Sequence, residues 1–112
     1  MPRVLIVEPH PDVLALIEHV VRRLGYEPVV GAGHDAAPSD VDAAVIEPGD
    51  RRGLATARRL HELGRPVVFT SIFPAEQEML DLDPVAYFVK PFALRELERA
   101  LVAAVEARDP AA

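Results

Sequence analysis

Four short apolar runs constrain this chain most, because each ends on a residue able to do ionic or hydrogen-bonding chemistry. Val4 to Val7 ends on Glu8, and Ala43 to Ile46 ends on Glu47. Val67 to Phe69 runs into Thr70 and Ser71, and Val85 to Val89 ends on Lys90-Pro91. Runs this short, without polar alternation, read as strands covered on both faces of a parallel sheet. A further strand is predicted at Glu27 to Val30. Amphipathic stretches separate the runs. Val13, Leu14, Ile17, Val20, Val21 and Leu24 recur at helical spacing. Leu54, Ala57, Leu60 and Leu63 do so again, and Leu94, Leu97, Leu101 and Val105 a third time. Pro11 and Asp12 suit a helix start, and Gly25 and Gly64 suit helix ends. A short helix is expected from Pro74 to Leu82. Residues 31–42 are polar and hold at most one helical turn, around Asp35 to Ala37.

Strands alternating with helices call for right-handed crossovers and a doubly wound α/β sheet. In such sheets ligands gather at the carboxyl ends of the strands. Glu8, Glu47, Thr70 and Lys90 are therefore expected to converge. One domain is expected over residues 1–108, with a frayed tail at 109–112. Half of the 112 residues are apolar and 27% are charged with both signs mixed, which supports a packed core.

The net charge is −6 and there is no basic block, which argues against nucleic-acid binding. With no cysteine, disulfide scaffolds, zinc–thiolate sites and thiol nucleophiles are excluded. Only four apolar residues lie between Arg3 and Glu8, too few for a signal peptide, and no stretch is long enough to cross a bilayer. A cytoplasmic location is expected, with no membrane contact.

The pattern resembles the receiver domain (CheY-like) of bacterial two-component response regulators over nearly the whole chain. Tyr87-Phe88-Val89-Lys90-Pro91-Phe92 resembles the family's Tyr-x-x-Lys-Pro-Phe after the fifth strand, and Val4 to Pro11 resembles its first strand and acidic turn. The resemblance implies a five-stranded parallel sheet of order 2-1-3-4-5, the flavodoxin-like receiver fold. It also implies a Lys90-Pro91 bond that is cis. Working members phosphorylate an aspartate after the third strand with magnesium, held by two acids after the first strand and a backbone carbonyl. By resemblance Lys90 is the phosphoryl-gripping lysine, Thr70 the hydroxyl, Tyr87 the switching aromatic and Gly49 the carbonyl.

The chain departs from this set where the chemistry is done. Glu8 stands at the first acid position, Pro9 at the second and Glu47 at the acceptor. Pro9 supplies no carboxylate. The extra methylene of Glu47 reaches into the space a phosphoryl group needs, and misplacement of about 1 Å can cost roughly 10²-fold. The family's second helix is largely deleted, and Gly53 arrives early. The resemblance is thus to a degenerate, or pseudo-, receiver. Its expected role is a non-enzymatic, receiver-like module of phosphorelay signal transduction that acts by protein–protein contact and is not itself phosphorylated in the usual way. No cofactor is expected, and magnesium binding is expected to be weak or absent.

Several readings stand beside this one. Glu47 could mimic the phosphorylated state by reaching Lys90, or form a local ion pair and no more. Lys90 between Glu8 and Glu47 could replace the missing metal. The alternatives for the whole chain are a working single-domain response regulator that accepts phosphate, and a small metal-dependent enzyme using Glu8, His10, Asp12 and Glu47. Thr70-Ser71 lacks the surroundings of a hydrolase nucleophile. Gly31-Ala32-Gly33 lacks those of a phosphate loop. Expected partners are a histidine kinase or a downstream output protein. A homodimer through Tyr87 and the last helix is a further expectation, with Leu94, Leu97 and Leu101 themselves read as core.

Overall fold

The computed structural model describes residues 1–31, 38–49 and 51–108. Its elements are β1 (Arg3–Val7), α1 (Pro11–Arg23), β2 (Glu27–Val30), β3 (Ala43–Ile46), α2 (Arg51–Glu62), β4 (Val67–Ser71), α3 (Gln77–Leu80), β5 (Ala86–Val89) and α4 (Leu94–Ala107). The strands form one parallel sheet in the order β2-β1-β3-β4-β5. The architecture expected from the sequence is therefore the architecture observed.

The central strands are buried on both faces, and alternate residues feed two cores. Val4, Ile6, Ala43, Val45 and Val68 pack with Ile17, Val20 and Val21 of α1 and with Leu97 and Leu101 of α4. Leu5, Ala44, Ile46 and Phe69 pack on the other side with Ala57 and Leu60 of α2 and Met79 of α3. Apolar runs without alternation are what two such faces require.

Glycine closes the two helices it was predicted to close. Gly25 has φ 82° and Gly64 has φ 71°. After α1, Gly25 N–H donates to Arg22 O and Tyr26 N–H to Val21 O. After α2, Gly64 N–H donates to His61 O and Arg65 N–H to Leu60 O. These paired bonds are the Schellman arrangement, which satisfies the last carbonyls and needs a left-handed residue.

Two elements differ from expectation. The helix predicted over Pro74 to Leu82 is only Gln77–Leu80, because Glu76 is still extended and the chain leaves through three-residue bonds from Leu82 to Met79 and Asp83 to Leu80. Asp83, at φ 47°, then turns left-handed before Pro84. Strand β4 extends to Ser71, and β5 begins at Ala86 rather than Val85. Among the described residues between β2 and β3, a 3₁₀ turn spans Pro38–Asp40. The turn expected at Asp35 to Ala37 and the tail at 109–112 lie outside the described residues.

Candidate functional site

Three charged residues close the carboxyl edge of the sheet. Glu8 follows β1, Glu47 follows the adjacent β3, and Lys90 follows β5 and reaches across the end of β4. Lys90 Nζ lies 2.6 Å from Glu8 Oε1 and 3.3 Å from Glu47 Oε2. The Glu8 side chain is fully buried, and those of Glu47 and Lys90 are only 10% and 11% exposed. Attraction between charges is strong in such a site, and so is the penalty for leaving one unpaired.

The second oxygen of each carboxylate is also engaged. Glu8 Oε2 accepts the backbone N–H of His10 at 3.1 Å and pairs with His10 Nδ1 at 3.1 Å. Glu47 Oε1 accepts the N–H of Gly49 at 2.7 Å. The two strand ends thus carry the same local device, Glu-Pro-x, in Glu8-Pro9-His10 and Glu47-Pro48-Gly49. Proline has no N–H to offer and keeps the residue before it extended. The first donor available to the glutamate is therefore two residues on, as in an Asx turn with one more methylene. The Glu-Pro dipeptide at two strand ends was a visible signal of this device that sequence reasoning passed over.

Two glycines allow the acceptor-position loop to fold this tightly. A Cβ at Gly49 would stand 2.9 Å from Glu47 Oε1, and a Cβ at Gly53 would stand 2.3 Å from the Glu47 carbonyl oxygen. The first turn of α2 is therefore pressed directly against the end of β3. Gly49, expected to offer a carbonyl, contributes its N–H to Glu47.

The alternation of β4 places the two hydroxyls on opposite faces of the sheet. Thr70 shares the Val68 face, and its Oγ1 is buried with no hydrogen-bond partner among the described residues. Ser71 shares the Phe69 face and borders a hollow of about 280 Å³ with Gly49, Phe73 and Tyr87. Ser71, not Thr70, is thus the hydroxyl on the side of the switch-position aromatic. The short Val67 to Ser71 run gives no alternation from which sequence alone could tell the two apart.

Tyr87 is half-buried, tilted against Phe69 at 6.0 Å between ring centres. Its hydroxyl donates to Phe73 O at 2.8 Å, tying the loop after β4 to β5. The Lys90-Pro91 bond is cis. Pro9 is exposed at the mouth of the triad, where it borders a second hollow, of about 290 Å³, with Glu8, Glu47 and Gly31. Leu97 and Leu101 are core residues, but Leu94 is 38% exposed, so the reading of all three as core is corrected for Leu94. It lines an apolar hollow of about 320 Å³ with Val13, Leu16 and Phe92.

His10 meets Glu8 but not Glu47 or Asp12, and among the described residues no group of three or more histidines and acids is gathered as a metal would require. His34, noted in the sequence, lies outside the described residues.

No family model matches this chain, and no curated protein matches it. Solved structures do. A CheY-like receiver domain protein from Methanospirillum hungatei aligns over 100% of this chain and 99% of its own, with TM-score 0.81 and 19% identity. The signal receiver domain of a modulated diguanylate cyclase from Desulfovibrio desulfuricans aligns over 96% of each chain, with TM-score 0.78 and 25% identity. A response regulator receiver protein from Burkholderia phymatum aligns over 98% of this chain and 99% of its own, with TM-score 0.78 and 22% identity. The fold is therefore the flavodoxin-like receiver fold.

Proposed function

We propose that this chain is an atypical receiver-like module of two-component signalling that works by protein–protein contact and is not switched by ordinary phosphorylation. The observation that carries the reading is the Lys90 ammonium between the Glu8 and Glu47 carboxylates, 2.6 Å and 3.3 Å away. It neutralises from within the charge that magnesium would otherwise bind. Magnesium needs open, hard oxygens in an octahedral shell. Here both carboxylates are taken up by Lys90 and by backbone N–H groups, and Pro9 adds none. These residues do not fit a magnesium ion without expelling the lysine.

Glu47 in turn acts as a built-in substitute for a phosphorylated acceptor. It already contacts the lysine, so the arrangement is held permanently. Output then depends on the face around Tyr87. Phe73 is 64% exposed, Ile72 58% and Val89 46%, beside the tyrosine and the short α3. A histidine kinase, a downstream output protein or a second copy of the chain would bind there, and a cytoplasmic setting suits such partners.

The test is intact mass after incubation with acetyl phosphate and magnesium, alongside the double variant Pro9→Asp, Glu47→Asp. The reading expects a magnesium-dependent, alkali-labile phosphoryl group at position 47 of the variant and none at Glu47 of the native chain. A magnesium-dependent mass gain on native Glu47 would overturn it.

A further inference from the structure

We propose that His10 is a phosphoryl-accepting histidine, with Nε2 as the acceptor atom and Glu8 as the residue that positions it. This goes beyond the reading of Glu47 and Lys90 as a fixed switch and does not depend on it.

The ring is unusually well specified for a surface histidine. Its side chain is 65% exposed, yet Nδ1 lies 3.1 Å from an oxygen of the fully buried Glu8. That same oxygen accepts the backbone N–H of His10, so main chain and ring are fixed by one atom. The backbone is anchored again because His10 is the N-cap of α1 and its carbonyl accepts the N–H of Leu14 at 2.9 Å. An N-cap side chain would ordinarily bond the open N–H groups of the first turn. This one turns instead to the carboxylate.

Glu8 takes the Lys90 ammonium on one oxygen and the backbone N–H of His10 on the other, so the carboxyl is placed as an acceptor toward the ring. Nδ1 is taken as the donor to this oxygen, which in the neutral ring leaves the lone pair on Nε2. A carboxylate behind an imidazole also stabilises the positive charge the ring gains when it reacts. The result is a nucleophile on a ring that is 65% exposed and has its charge partner at Nδ1.

The step balances with an acyl phosphate or a phosphoramidate as donor. The Nε2 lone pair forms a bond to phosphorus as the P–O bond of an acyl phosphate breaks, and the carboxylate leaves with that electron pair. With phosphoramidate the P–N pair leaves on ammonia. Nδ1 keeps its proton throughout, and the cationic ring faces Glu8.

The experiment treats the full chain with potassium phosphoramidate and, in parallel, with acetyl phosphate. The expected product gains one phosphoryl mass that is stable to alkali, is lost in acid and maps to His10. His10→Gln is expected not to gain it. Glu8→Gln is expected to gain it at least about tenfold more slowly. Because that variant also disturbs the ion triad, the ring ¹⁵N shifts of the native chain give a second readout, with the proton expected on Nδ1. Label only on His19, His34 or His61, an unchanged rate in Glu8→Gln, or a neutral ring protonated on Nε2 would each overturn the proposal. An alkali-labile adduct that replaces the stable one and is lost in Glu47→Gln would overturn it too, and would separately overturn the absence of an acyl phosphate on Glu47.

Discussion

Lys90 serves two buried carboxylates at once, so its loss should cost far more than that of a surface lysine. Exposed pairs are worth about 0–1 kcal/mol, whereas removing one member of a buried network costs roughly 3–5 kcal/mol. Lys90→Met is therefore expected to lower unfolding free energy by about that larger amount in urea melts. Adding Glu8→Gln and Glu47→Gln to the same chain should restore more than half, since the uncompensated charges are then gone. A loss under about 1 kcal/mol for Lys90→Met alone would place the triad among surface pairs. The convergence of these residues was legible, because each is the first polar residue after an apolar run and parallel sheets gather such ends. Their internal hydrogen bonds were legible in principle from Glu8-Pro9 and Glu47-Pro48. The side on which Thr70 and Ser71 fall was not, because both are buried and only strand register distinguishes them.

Among the elements, the contact between α2 and the end of β3 is the most sensitive to a small change. A methyl group at Gly53 would meet the Glu47 carbonyl oxygen at 2.3 Å and the Ile46 side chain at 3.2 Å. Backbone cannot yield as a flexible side chain can. Gly53→Ala is expected to cost about 1–3 kcal/mol, the usual range for overpacking, and to move the Gly49 amide resonance. Gly64→Ala should cost about 1–2 kcal/mol for a different reason, the left-handed backbone at φ 71°, and should leave the Gly49 resonance in place. Helices were readable where an apolar stripe ran for three turns or more and a glycine closed it, as in α1 and α2. The short α3 was overread because Pro74 and Glu76 look like a helix start, while the backbone remains extended through Glu76. The loops that hold Glu47 and His10 depend on side-chain to backbone bonds, which periodicity does not encode.

Across the whole molecule the two edges of the sheet are fastened differently. At the amino edge Asp42 accepts the Arg3 N–H at 2.8 Å and pairs with Arg108 at 2.6 Å, joining the start of β3 to the end of α4. At the carboxyl edge the Lys90 triad joins β1, β3 and β5. On the proposed function, a domain fastened at both edges would present a fixed surface rather than a switched one. The apolar residues Ile72, Phe73 and Val89 beside Tyr87 are where that surface should bind. Phe73→Glu is expected to abolish any self-association seen by sedimentation while leaving the circular dichroism spectrum and the urea midpoint unchanged. Self-association that survives the substitution would move the contact elsewhere.

The central claim is that Lys90 already fills the place of the metal and that Glu47 already fills the place of the phosphoryl group. The most direct measurement is an amide ¹H–¹⁵N titration of the native chain with magnesium, alone and with beryllofluoride as a phosphoryl analogue. The account predicts that the Gly49, Ser71, Tyr87 and Lys90 resonances stay where they are. Saturable shifts at these residues, with magnesium alone or with the analogue, would contradict it and return the chain to the working phosphoacceptors.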